Sequence, residues 1–211
     1  MKKNFLRAAF VAALLSAASI AAGSMIATPA FAADHLSKDV AKDLQAAQAA
    51  LQGKDLATAM TQIKAAQAET DRSAYDDFTI NRFLSSVAAQ SGDFATAATA
   101  YDGFINTDYF KTLTPEEQKA AYHDATIVNQ NSKNWPRVIQ YGTQLEAMKG
   151  LDDLTETMLA IAYYEQKDNV NAKKYAQMAI DAAKAAGKQP QENALIIMGN
   201  IEGKSDPDAA R

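Results

Sequence analysis

The chain has 211 residues, 21 Lys+Arg against 25 Asp+Glu, a net charge of −4, and 48% apolar residues. Lys2, Lys3 and Arg7 lie in an acid-free opening stretch, so the remainder is more acidic still, at −7, which argues against a nucleic-acid binder that works by neutralising phosphate. With no Cys there is no disulfide framework, thiol nucleophile or thiolate metal site, and the length suits one ordinary domain.

In chain order, the positive start is followed by an apolar run from Ala8 to about Ile26, then Thr28-Pro29 and the small-residue triplet Ala30-Phe31-Ala32. A charged start, a greasy centre and an A-x-A site are the layout of a secretory signal peptide, over 1–32. The alternative is a retained membrane anchor, since the run is near the lower length limit for crossing a bilayer. Pro29 and the triplet favour removal, which leads to the expectation of a periplasmic protein in a Gram-negative bacterium, with a flexible start over 33–39. If the cut follows Ala32, the new terminus reads Ala33-Asp34-His35. Its amine, two deprotonated amides and the His35 imidazole are able to form a square-planar nitrogen site for Cu(II) or Ni(II). The plainer reading is a leader in which His35 does nothing.

From Ser37 to about Asn200 the chain is dense in Ala, Gln, Lys, Leu and Glu, which are good helix formers, and no stretch alternates long enough to make a strand. Thr114-Pro115-Glu116-Glu117 is a helix start: Thr114 accepts an orphan backbone N–H, Pro115 suits the first position, and Glu117 completes a capping box. Asn134-Trp135-Pro136 reads the same way. Breaks fall at Gly53-Lys54-Asp55, Ser91-Gly92-Asp93, Ser132-Lys133-Asn134 and Lys167-Asp168-Asn169. Aligned on Lys54, Gly92, Lys133 and Lys167, they are separated by 38, 41 and 34 residues.

Two helices per unit at a period near 34 resemble a tetratricopeptide repeat array. The expected units are 40–73, 78–111, 119–152 and 153–186. Small residues fall where helices must approach closely, Ala47, Ser85, Thr126 and Ala160 on the first helix and Ala59, Ala97, Val138 and Ala172 on the second. An apolar plug follows three of the four turns, at Leu56, Phe94 and Trp135, with Asn169 as the exception; Leu84, Leu159, Tyr163, Ile63, Tyr101 and Phe104 supply bulk. The usual closing Pro is missing, and Gly142 stands where an aromatic is expected. The fold expected is therefore all-α, a right-handed solenoid of about four helix-turn-helix units. Residues 187–203 would form a capping helix containing Leu195, Ile196, Ile197, Met198 and Ile201, because a terminal hairpin cannot bury both faces by itself. The competing role for Ile196, Ile197 and Ile201 is a docking patch. Residues 204–211 are expected to be a disordered tail.

Chemistry-bearing motifs are sparse. His123 has no second His at helical spacing, and the pairs Asp76-Asp77, Glu116-Glu117 and Asp152-Asp153 open helices, where the helix dipole accounts for them. There is no phosphate loop, G-x-S-x-G elbow or H-E-x-x-H pair, so neither a catalytic residue nor a cofactor is assigned. The resemblance implies a concave groove lined by the first helix of each unit. That gives Thr79, Arg82, Ser86 and Gln90, then His123, Ile127, Gln130 and Asn131, then Thr157, Ile161, Tyr164 and Glu165. Such a surface suits an extended peptide held by side-chain hydrogen bonds. The family's carboxylate clamp needs several basic residues and Asn, and only Arg82 is present. The stretches 162–168, 176–183 and 187–190 resemble secreted bacterial proteins of this type associated with the TonB–ExbB energy-coupling system. The expectation is a non-catalytic periplasmic scaffold that binds an envelope protein or peptide, with a membrane involved only through the leader or a partner. The alternative is a periplasmic small-ligand or Cu/Ni-binding protein.

Overall fold

A computed structural model of the chain describes residues 35–205. The expected signal peptide over 1–32, the Ala33-Asp34 donors and all but the first two residues of the expected 204–211 tail lie outside that range. The described residues form α1 (Lys38–Gln52), α2 (Leu56–Ala68), α3 (Ala74–Ser91), α4 (Phe94–Ile105), α5 (Asp108–Thr112), α6 (Pro115–Asn131), α7 (Trp135–Ala147), α8 (Asp153–Glu165), α9 (Asn169–Ala185) and α10 (Glu192–Ser205), with no strand among them. None of these helices is long and apolar enough to cross a membrane.

The helices pack sequentially in adjacent pairs: α1 with α2, α3 with α4, α6 with α7, and α8 with α9. Successive pairs meet through α2–α3, α4–α6 and α7–α8, and the first helices also touch one another, α1 with α3 and α6 with α8. The short α5 is an element that the sequence does not announce. It is capped by Thr107, which accepts from the Phe110 amide, and it sends Phe110 (3% exposed) into the core beside Phe104.

The four turns within pairs are one backbone motif repeated. Lys54, Gly92, Lys133 and Lys167 all adopt the left-handed region, with φ of 60, 80, 58 and 63°. At each, the left-handed residue's amide bonds three residues back (to Leu51, Ala89, Gln130 and Tyr164) and the next amide bonds five back (to Ala50, Ala88, Asn129 and Tyr163). This is a Schellman ending, which satisfies carbonyls left open by the finished helix. The next residue then caps the following helix: Asp55, Asp93 and Asp168 accept from the amides of Thr58, Thr96 and Asn171. Asn134 makes no such bond, and Pro136 occupies the opening turn there. The alignment of breaks in the sequence is thus an alignment of left-handed residue plus cap.

Three apolar clusters follow one another along the chain. The first joins α1–α3 through Val40, Leu44, Ile63, Ile80 and Val87. The second centres on Phe78, Tyr101, Phe104, Val128 and Tyr141. The third gathers Leu159, Tyr175 and Ile180 with Ala194, Ile197 and Ile201 of α10. The small residues Ala47, Ser85, Thr126 and Ala160, and Ala59, Ala97, Val138 and Ala172 opposite them, are all buried, which lets helices of a pair approach closely. Gly142 serves the contact between pairs: a Cβ there would lie 2.6 Å from Leu159 Cδ2, so the expected aromatic has no room. On α10, Ile197 and Ile201 are buried against α8 and α9, while Leu195 and Ile196 are each 49% exposed.

Polar ties join neighbouring pairs. The Tyr141 hydroxyl on α7 donates to Asp102 on α4, whose other oxygen lies 2.9 Å from Arg137. One pair further on, the Tyr175 hydroxyl on α9 donates to Glu146 on α7 at 2.6 Å, with Lys174 3.1 Å away. At the other end the fully buried Asp76 accepts from Ser37 (N 2.9 Å, Oγ 2.5 Å) and from Ser73 (N 2.7 Å, Oγ 2.8 Å), so one carboxylate serves the starts of both α1 and α3.

Candidate functional site

The first helices diverge enough to leave two clefts between them. The larger, about 610 Å³ including its open side, lies between α3 and α6 and is floored by Tyr101 and Phe104 of α4. Its α6 wall is Glu117, Ala121 and Asp124, spaced i, i+4, i+7 on one helical face, with Ala121 leaving room between the two acids. Its α3 wall carries Arg82, Phe83 and Ser86, and Leu51 reaches in from α1. The smaller cleft, about 420 Å³, lies between α1 and α3 and includes Leu44, Tyr75 and Thr79. Phe83 belongs to both, so the two form a row along the first helices.

The charged groups of the larger cleft are partly engaged. Arg82, with its side chain 11% exposed, lies 3.8 Å from Glu117 Oε1 and 5.6 Å from the Phe78 ring centre. Burial lowers its pKa, and Glu117 opposes that shift. The second Glu117 oxygen closes the capping box with Thr114 at 3.0 Å. Two helical turns on, Asp124 has Oδ1 3.3 Å from His123 Nδ1 and Oδ2 3.5 Å from the Tyr101 hydroxyl. Burial, reinforced by the Asp124 charge, pushes the Tyr101 phenol far up, so it stays a neutral donor.

His123 joins this region to α8. Its Nε2 lies 3.7 Å from Oδ2 of Asp152, the residue that caps α8 through the Thr155 amide. Hydrogen bonding to Asp124 and then to Asp152 outweighs desolvation and pushes His123 up to about 9, so it is an imidazolium at neutral pH. Burial would raise Asp152, but its bonds to His123 and Thr155 hold it well below the usual carboxylate range. Glu156, 8% exposed and with Oε2 lacking a hydrogen-bond partner, is driven up to about 7 by burial and by Asp152, Asp153 and Glu146.

The sequence-derived groove residues therefore divide. Arg82 and Ser86 line the larger cleft, and Gln90 Nε2 donates to Ser86 at 3.0 Å. Thr79 edges the smaller cleft, but it and Thr157 are 6% and 4% exposed, with their hydroxyls bonded back to Tyr75 and Asp153. These two threonines offer a partner little surface. His123 is a bridge between helices. Ile127 and Gln130 are half-buried, the Gln130 Oε1 without a partner, and Asn131 is exposed with its amide on Ile127 O. Ile161 and Tyr164 pack beside the third cluster, and Glu165 is exposed. Tyr101, Glu117 and Asp124 were not foreseen as site residues; the 117-121-124 stripe was the signal that could have found the two acids. His35 is exposed, and the amine and amides it would need lie outside the described residues. Among the described residues, no group of three or more His, Asp or Glu is arranged to hold a metal ion. The chain matches no protein-family model and no curated protein significantly.

Proposed function

We propose that the protein is a non-catalytic periplasmic scaffold of the tetratricopeptide type, a right-handed solenoid that holds a protein or peptide along its first helices. The observation that carries this reading is the row of two clefts joined at Phe83, one between α1 and α3 and one between α3 and α6. A continuous row fits an extended chain that places successive side chains in successive clefts. The repeated left-handed turn and the neighbour-to-neighbour pairing support the solenoid. The leader-like start supports export, and the likeness of the last unit to TonB-associated proteins supports a partner in an envelope complex of that kind.

The test is retention of envelope proteins on the immobilised protein, with Ser86→Leu as a variant that fills the larger cleft. Capture of one or a few proteins by the parent, lost in the variant, is the expected result; equal capture by both would sink the reading. A second reading, a small-ligand carrier, draws on the concave shape of the larger cleft and its apolar walls with a few polar groups among them. It predicts a solute that raises the melting temperature while no protein is retained.

A further inference from the structure

We infer that the cleft between α3 and α6 is an anchor pocket for a lysine side chain of the bound partner; this rests on the proposed peptide-binding role and names the chemistry of its main contact. The walls suit the two halves of a lysine. Phe83, Phe104 and Leu51 present apolar surface to a methylene stem. The polar atoms beyond them are mainly acceptors: the carboxylates of Asp124 and Glu117 and the hydroxyl oxygens of Tyr101 and Ser86. The lining sets Glu117 and Asp124 against Arg82, and the His123 imidazolium beside Asp124 is shared with a third acid, Asp152. These groups keep an acid surplus within a chain that is itself acidic, so a cation is the complementary ligand.

Position within the cleft sharpens this. Arg82 sits at the Glu117 end, 3.8 Å from that carboxylate. Asp124 is seven residues further along α6, about 10 Å at the helical rise. An ammonium at the Asp124 end therefore avoids the guanidinium. Asp124 Oδ1 already faces His123, and its Oδ2 has a long 3.5 Å contact to the Tyr101 hydroxyl, leaving acceptor capacity on one oxygen. One oxygen with spare acceptor capacity serves a compact ammonium better than the planar fork of arginine, which binds best to two.

The test uses the isotope-labelled protein and four blocked pentapeptides, Ala-Gly-X-Gly-Ala, with X as Lys, Arg, norleucine or Glu. The Lys peptide is expected to shift the amide resonances of Ser86, Ala121 and Asp124 saturably. It should bind about ten-fold more tightly than the norleucine and Glu peptides and more tightly than the Arg peptide. Asp124→Asn should reduce Lys to the norleucine level. Because that variant also removes a His123 contact, Ser86→Leu serves as an independent blocker that touches no ionised group. Its expected effect is loss of the shifts with helix content unchanged. Tighter binding of norleucine, Arg or Glu in the same cleft overturns the lysine assignment and leaves the peptide-binding role standing. Shifts that persist in Ser86→Leu also overturn it. If no peptide perturbs either cleft, both readings fall.

Discussion

His123 and Glu156 both respond to Asp152, and both keep their protons to higher pH than usual, at about 9 and about 7. For His123 the folded value lies above the ordinary 6.5, so its stabilisation is complete below that pH and is lost as pH rises toward 9. For Glu156 the folded value lies above the ordinary 4.5, so stability falls between pH 4.5 and 7, and above that the fold carries a buried charge. Urea unfolding across this range should therefore show stability declining as pH rises. His123→Gln should flatten the upper part of the slope and cost about 1 kcal/mol near neutrality, since the ring is a third exposed and screened. Glu156→Gln should flatten the lower part and stabilise the protein above neutral pH by about 1–3 kcal/mol. Asp76 has the opposite sign: burial would raise it, but its bonds to Ser37 and Ser73 hold it low, so its contribution is lost only as pH falls into the acid range. Asp76→Ala removes acceptors from two helix starts at once. It should cost about 2–4 kcal/mol, read as a lower urea midpoint.

The turns are where individual helices stop and restart, and three of the four within pairs use a lysine in a conformation that disfavours any residue with a Cβ, as Lys149 does between α7 and α8. The left-handed region costs a non-glycine residue about 1–2 kcal/mol. Glycine's greater freedom in the unfolded chain takes back part of that. Lys54→Gly, Lys133→Gly and Lys167→Gly should each stabilise by about 0.5–1 kcal/mol and should add, because they lie in separate turns. Gly92→Ala is the mirror experiment. A Cβ there meets nothing within 4 Å, so its loss of about 1 kcal/mol is purely a backbone effect. Gly142 is a different case, because the obstacle is Leu159 rather than φ. Gly142→Ala gains helix propensity but drives a methyl into a buried leucine, and thermal unfolding should register a net loss of about 1–2 kcal/mol.

At the scale of the molecule, cohesion passes from each pair to the next. The three apolar clusters follow chain order, and the ties Ser37–Asp76, Asp102–Tyr141 and Glu146–Tyr175 link successive pairs. Among the described residues α1–α2 and α10 have neighbouring helices on one side only, so opening is cheapest there. Hydrogen exchange should show α1–α2 and α10 opening at lower free energy than α6 and α8. Ile197→Asp, which places a charge where α10 meets α8 and α9, should loosen α8–α10 and leave α1–α3 protected. Uniform loss of protection across the chain would count against this picture.

Much of the local structure was legible in the chain because its causes are local. A capping box at Thr114 and Glu117, or a left-handed residue followed by an Asp cap, is complete within about six residues. Those signals were enough to establish the paired helices and to align the turns, while α5 went unannounced. The direction each side chain faces is another matter, since one residue of error turns a helix by 100°. Which face of α6 meets the cleft depends on α4, α7 and α8 packing against it, and ties to α6 such as Tyr101–Asp124 and His123–Asp152 join residues far apart in the chain. Hence Thr79 and Thr157 turn inward, His123 reaches α8, Gly142 makes room for Leu159, and Asp124 and Tyr101 meet at the cleft floor. The sequence by itself determined the paired helices, the turns within each pair and the period of their return, though not α5. Only tertiary packing decided which atoms were left facing outward for a partner.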